Sequence, residues 1–546
     1  MIKIANDALR LLIEKESHLL EQNFEVFRSL VGQTRDFLQR RDYNTAAVYA
    51  QIAALYANGK HCGLFSSPEL EHILLTIGQK AIRNKRDINK STSSPATPKK
   101  VLHVATSVMS IGGHSRMLWR WIQQDTERSH SLVLTQQGLN KVPQILRDAV
   151  NNSHGKIYIL NERIGSVLSW AKQLREIAAT ADLVVLHIHN YDVIPIIAFA
   201  NKEQSPPIIF LDHADHLFWL GTGVSDVVVN LRMSGMNLAQ KRRGIASERN
   251  VLLPIILEPT HRMLSHTAAK QQLGLNESSI VLLSIARAVK YKTIDGITYI
   301  DAHIPLLKQY ENAILIVVGP GNREDWSDAI QRTQGRIKVY EEREDTAVFY
   351  QAADIYVDSF PFVSNTSLLE AGSYGLPLVT RHPYSDASEI LGADMPGLTG
   401  NLIRVADIDE YTTVLSHLVE DKEFRLSLGE ETRKKIAVTH WGDNWQRQLN
   451  DVYVHAMTLP SLTVNSVPKD QIFLGEPDVF LPHIYGWNID FDWLIQFNLQ
   501  LMPLNQRLRH WLKFVKKHGV RNRLSLLLPE WFKLNYYSRF RSLFPF

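Results

Sequence analysis

From residue 101 onward, short apolar runs alternate with stretches of helical periodicity, and that rhythm constrains the fold more than any other feature of the chain. Runs at 101–105, 131–134, 156–159, 183–188, 208–211 and 227–230 read as strands, with helices between most of them. At 253–259 (LPIILEP) the rhythm pauses. It restarts with strands at 280–285, 313–318 and 336–339 and helices near 293–310 and 346–353. Strands that alternate with helices build mainly parallel sheets. Two successive runs therefore predict two doubly wound α/β domains, 101–257 and 258–440. Their strand ends face each other across a cleft, which is where ligands bind in such sheets.

The stretch 354–380 (DIYVDSFPFVSNTSLLEAGSYGLPLVT) shows what one of these junctions offers. A strand at 355–358 stops at Asp358, and Pro361 ends it by removing an N–H. Asn365, Thr366 and Ser367 are capping residues ahead of the helix formers Leu368, Leu369 and Ala371, and Gly375 and Pro377 close the helix before a strand at 377–380. An open helix N-terminus at a strand's carboxyl end holds phosphate on its free N–H groups. Glu370, one turn in, is placed for the sugar hydroxyls of a nucleotide, although a ligand-free βαβ unit fits the local pattern as well.

Other junctions carry similar chemistry. Gly112 and Gly113 precede a helix at 115–124, and Gly319 ends the strand VVG where backbone can approach a base or ribose. Arg287 and Lys292 follow the strand at 280–285, where two cations can clamp a diphosphate and stabilise it as it leaves; a solvated basic loop is the plain alternative. Two strand ends are rich in histidine: His187 and His189 in LHIH, and His213, Asp215 and His216 in DHADH. A metal held by His/His/Asp is weighed here against cleft histidines that hydrogen-bond, and the second is preferred, so no metal is expected.

The flanks differ in kind. Residues 1–88 read as a helical domain, with Ala5, Leu9, Leu11, Leu12, Phe24, Phe27, Leu30 and Val31 at helical spacing and an Ala-rich segment at 43–58. The stretch 89–100 (NKSTSSPATPKK) reads as a linker. Closing helices are expected at 410–428 and 441–457, then an irregular segment to 505 within an aromatic-rich extension at 458–546. In a chain of net charge +4, residues 506–546 hold ten Lys/Arg against Glu530 alone, so the remainder is acidic. Aromatics interleaved with these cations suit three roles: packing on the body with the cations solvated, lying on an anionic membrane surface, or binding nucleic acid, in that order. Cys62 is the one cysteine, which excludes an internal disulfide and predicts a reducing, cytoplasmic setting, peripheral to the membrane if the tail binds lipid. Charged residues within the first twenty argue against a signal peptide, and no apolar run reaches the length of a membrane span.

Taken in order over about residues 100–455, these motifs resemble retaining glycosyltransferases of the GT-B fold, in particular glycosyltransferase family four. The resemblance implies an α/β chain of two Rossmann-like domains, preceded by a helical domain and followed by a basic helical tail. It implies that Arg287 and Lys292 bind the donor diphosphate, with Thr366, Ser367 and neighbouring Asn365 at the helix end. Glu370 would bind ribose, Gly319 would approach the nucleotide, and His213 would lie beside the donor sugar. Gly112 and Gly113 would border the phosphates and the acceptor entrance, with His187, His189, Asp215, His216 and Phe362 toward sugar and acceptor. The family's Glu-x7-Glu pair is broken, because Phe362 stands at the earlier position. FPF followed by NTS is also similar to the loop of O-GlcNAc transferase-like inverting enzymes. The implied function is metal-independent hexosyl transfer from a nucleotide-diphosphate donor, UDP favoured, to a hydroxyl on a glycan, lipid-linked glycan or protein. The alternatives are an inverting protein O- or N-glycosyltransferase and a non-catalytic nucleotide- or glycan-binding protein.

Overall fold

A computed structural model describes residues 2–83, 97–292, 297–463, 469–519 and 523–534, with side chains from Glu14 onward. Most of the linker expected at 89–100, the start of the helix expected at 293–310, and parts of the tail fall outside those residues, as do the side chains of Ala5, Leu9, Leu11 and Leu12.

Two parallel sheets form the body. The first has seven strands in the order β3-β2-β1-β4-β5-β6-β7. They are β1 (Lys100–Ala105), β2 (Ser129–Leu134), β3 (Ile157–Ile159), β4 (Leu183–His187), β5 (Ile208–Asp212), β6 (Val227–Asn230) and β7 (Asn250–Leu252). The second has six, in the order β10-β9-β8-β11-β12-β13. They are β8 (Ile280–Ile285), β9 (Ala313–Gly319), β10 (Ile337–Glu341), β11 (Ile355–Val357), β12 (Leu378–Arg381) and β13 (Leu402–Val405). Strands β4 and β5 are buried at every residue, so they read as continuous apolar runs. The edge strands β7 and β13 were not expected. β13 is short and partly exposed, and β7 is only three residues running into the Pro-broken apolar segment at 253–259, which hides its boundary.

Three further expectations need correction. Within the described part of 293–310, the regular α-helix is confined to Ile304–Gln309. The helix expected at 410–428 is two, Ile408–Glu420 and Lys422–His440, because the Asp421 carboxylate accepts the Phe424 N–H and starts the second. The segment 458–505, expected to be irregular, holds helices Glu476–Ile484 and Phe491–Asn498 and leads into Leu504–His518. Two of its prolines mark helix starts, Pro477 in a first turn and Pro503 just before one, while Pro482 lies inside Glu476–Ile484.

The N-terminal residues form helices Ile2–Gln39, Tyr43–Gly59 and Pro68–Ala81. The second is buried from Thr45 to Gly59, which accounts for its alanines. It shares one core with the first sheet and with Leu494, Ile495 and Leu499 of the C-terminal extension. Gln51 donates to Asn498 at 2.9 Å, Tyr49 and His510 hydrogen-bond at 3.1 Å, and the Trp487 N–H donates to the Gly59 carbonyl at 2.8 Å. Helix Gly442–Thr458 crosses back to the first sheet, where Trp445 donates to the Pro254 carbonyl and Trp121 to the Tyr453 hydroxyl.

Candidate active site

The carboxyl ends of both sheets open on one cleft of about 560 Å³. From the first sheet come Gly112, Gly113, His189, His213, Asp215 and His216. From the second come Arg287, Gly319, Phe362, Asn365, Thr366, Ser367 and Glu370. Local geometry explains the glycines. Gly112 has φ +121°, and a Cβ there would lie 3.5 Å from the Arg287 guanidinium across the cleft. A Cβ on Gly113 would overlap the Thr366 hydroxyl. Gly319 has φ +119°, and any side chain would run into the Ala286 carbonyl.

Helix Asn365–Ser373 begins after Ser364, and its first bond runs from the Leu368 N–H to the Ser364 carbonyl. Asn365, Thr366 and Ser367 are therefore first-turn residues rather than the cap, and their N–H groups have no helical acceptor. Asp358 fixes the loop before them, accepting the N–H of Ser359 at 2.9 Å and of Ser364 at 3.1 Å. Ser364 donates to the Ile285 carbonyl at 3.0 Å, tying this loop to β8. Lys290 donates to the Val363 carbonyl at 2.7 Å and lies 4.9 Å over the Phe362 ring. Burial pushes the Asp358 carboxyl up to about 7 and the Lys290 amine down to about 8, each partly offset by the other.

Two expected residues lie elsewhere. His187 is buried outside the cleft lining, hydrogen-bonded to His103 at 2.9 Å, because the last residue of β4 turns into the layer between sheet and helix. Lys292 directs its amine to the Gly486 carbonyl at 3.3 Å and does not line the cleft, whereas Lys290, two residues earlier, does.

Other expected residues are already engaged. Glu370 meets Arg116 at 2.6 Å and Arg120 at 3.3 Å, both from the helix after Gly112. Asp215 is paired with buried Arg232 at 2.6 Å, and that guanidinium holds its carboxyl well below the usual range against the opposing effect of burial. Arg232 also donates to the carbonyls of Ile390 (2.8 Å) and Gly392 (2.5 Å), so it joins the two halves. Arg287 lies 3.3 Å from Glu342 and is half exposed.

His213 stacks on His114 with centroids 3.8 Å apart. Burial lowers His213 and His189 to about 4 and His187 to about 3, so all three are neutral at pH 7. Among the described residues, no three His, Cys, Asp or Glu side chains are grouped to hold a metal ion. Three buried polar atoms of cleft-lining residues have no hydrogen-bond partner among the described residues: Asn365 Oδ1, His114 Nε2 and His216 Nε2. At the position of the missing carboxylate, Phe362 packs against His216 (4.6 Å between ring centroids) and Tyr485 (5.8 Å). Tyr485 and Trp487 bring the C-terminal extension into the cleft wall. Sequence reasoning missed both, along with Arg116, Arg120, Lys290 and Arg232. Lys290 lies between the predicted Arg287 and Lys292, and His114 and Arg116 follow directly on Gly112 and Gly113, while the two aromatics carried no local signal.

Residues 265–435 match the family model of glycosyl transferases group 1. No curated protein matches the chain. Among solved structures, Anabaena HepE in complex with UDP-glucose is similar at TM-score 0.51 and 16% identity, over 66% of this chain and 100% of its own. HepE in complex with UDP gives 0.50 and 15%, over 64% and 98%. A glycosyltransferase from Rickettsia africae gives 0.52 and 10%, over 66% and 98%. At these identities the likeness establishes the two-domain GT-B fold.

Proposed function

We propose that this chain, a glycosyltransferase of the GT-B fold with a glycosyl transferases group 1 domain, moves a sugar from a UDP-sugar to an acceptor hydroxyl without a metal. The observation that carries the reading is the convergence, in one cleft, of Arg287, the open helix end at 365–367 and the Gly112–Gly113 loop. Breaking the bond between the anomeric carbon and the β-phosphate oxygen puts charge on the departing UDP. A guanidinium and unpaired backbone N–H groups meet that charge with little reorganisation. Glu370 would turn from Arg116 to the ribose, and Asn365 Oδ1, His114 and His216 have hydrogen-bonding capacity left for the donor or acceptor. His213, neutral at pH 7, would act beside the transferred sugar. UDP is favoured as the leaving nucleotide because HepE carries UDP-glucose on the same fold.

The acceptor hydroxyl belongs to a glycan, a lipid-linked glycan or a protein. Phe362 in place of the sugar-facing carboxylate supports a second reading, an inverting enzyme that modifies protein. Proton NMR of the product's anomeric centre decides between them. The main test is transfer or hydrolysis from a panel of radiolabelled nucleotide sugars with and without EDTA. We expect turnover of a UDP-sugar unaffected by chelation. Turnover abolished by EDTA and restored by a divalent cation contradicts the metal-free mechanism, and a chain that binds UDP-sugar without turning it over is a binding protein.

A further inference from the structure

The C-terminal extension presents a second surface beside the cleft. Helices Phe491–Asn498 and Leu504–His518 form a hairpin whose inner faces, Leu494, Ile495 and Asn498 on one arm and Arg507, His510 and Phe514 on the other, are buried on the body. Lys517 and the Asp492 carboxylate tie the arms together, with His518 3.6 Å from the same carboxylate. The outer faces are apolar where a solvated surface is polar. Phe491, Trp493 and Phe497 are 48, 39 and 47% exposed, and Leu504, Leu508 and Leu512 are 62, 40 and 60% exposed. The leucines recur every fourth residue and form one stripe, flanked by exposed Arg509, Lys513 and Lys516. Trp493 and Phe497 stack at 5.2 Å, and Phe497 meets Tyr191, a cleft-lining residue, edge-on at 6.2 Å. The patch therefore reaches the mouth of the cleft.

Large apolar side chains exposed together on two tied helices call for an occupant. Cations alongside the leucines oppose a second copy of the same basic face. Nucleic acid would use the cations and aromatics but gains nothing from three exposed leucines. Leucine and aromatic side chains on a basic helix fit a lipid interface, where apolar groups enter the headgroup boundary and cations meet lipid phosphates.

We infer that this hairpin docks on an anionic bilayer, holding the mouth of the cleft at the membrane surface to receive an acceptor carried on a lipid. The docking rests on the hairpin alone, and the acceptor class rests on the sugar-transfer reading. The test is flotation of the full chain with phosphatidylglycerol-containing vesicles and with phosphatidylcholine vesicles, together with UDP-induced thermal shifts. The wild-type chain is expected to float with anionic vesicles only. Leu504→Gln/Leu508→Gln/Leu512→Gln and Arg509→Gln/Lys513→Gln/Lys516→Gln should each weaken binding by about 10-fold or more while keeping the UDP shift. Wild type that stays unbound, variants that bind equally well, binding competed away by single-stranded RNA, or a leucine-dependent dimer in place of flotation each overturn the docking. Flotation without transfer to lipid-extracted acceptors, in a chain that does glycosylate soluble ones, overturns the acceptor assignment alone. Loss of the UDP shift in wild type counts against the sugar-transfer reading and leaves the docking standing.

Discussion

In the proposed reaction, Arg287 is the residue on which the chemistry turns. It is half exposed, it approaches Gly112 from across the cleft, and its partner Glu342 is a surface carboxylate that a diphosphate can displace. Arg287→Ala should lower kcat/KM by about 10²- to 10³-fold with the melting temperature unchanged, the cost of losing a preorganised charge at the leaving group. Lys290 and Lys292 separate two expectations. Lys290 supports the loop ahead of the helix end and lines the cleft, whereas Lys292 reaches Gly486. Steady-state kinetics should therefore show a larger loss for Lys290→Ala than for Lys292→Ala, and the reverse order would restore the pairing of Arg287 with Lys292 read from the motif. The buried histidines make a separate prediction. His187 has its pKa near 3 in the fold and an ordinary value of about 6.5 when unfolded. Acidification through that window then favours the unfolded chain, by about 1.4 kcal/mol per pH unit below 6.5 for this one group. The stability advantage of wild type over His187→Gln, followed by denaturant titration, should be full above pH 6.5 and shrink toward pH 5.

At the scale of elements, the site is assembled from strand–helix junctions, and these were the most legible part of the sequence. A Gly-Gly loop, a strand end at Gly319 and a helix start at 365–367 are encoded within a few neighbouring residues, so the pattern survives without tertiary information. Gly319→Ala tests one such junction. It combines φ +119° with a Cβ aimed at the Ala286 carbonyl, so it should cost about 2 kcal/mol or more and lower the melting temperature by a few degrees. What was not legible depends on distant partners. The helices Glu476–Ile484 and Phe491–Asn498 were hidden because the prolines of this segment look like breakers until Pro477 is seen in a first turn. Tyr485 and Trp487 became wall residues only through contacts with Phe362 and Gly59, far away in sequence. Edge strand β13 lacked the apolar run that marks a central strand, and β7 merged into the Pro-broken apolar segment that follows it.

Across the whole molecule, the two lobes are joined on both sides of the cleft. Arg116 and Arg120 meet Glu370 on one side, and Arg232 reaches Ile390, Gly392 and Asp394 on the other. Closure of this kind excludes water, which competes with the acceptor. The N-terminal helices and the C-terminal extension brace the first lobe from outside through a shared core. In the proposed function, the lobes grip a pyrophosphate between Arg287 and the helix end at 365–367. Isothermal titration of wild type and Arg287→Ala with UDP, UMP and uridine tests it most directly. UDP is expected to bind wild type much more tightly than UMP or uridine, and Arg287→Ala should remove most of that preference. Equal affinity for UDP and uridine, or an unchanged preference in Arg287→Ala, would contradict it.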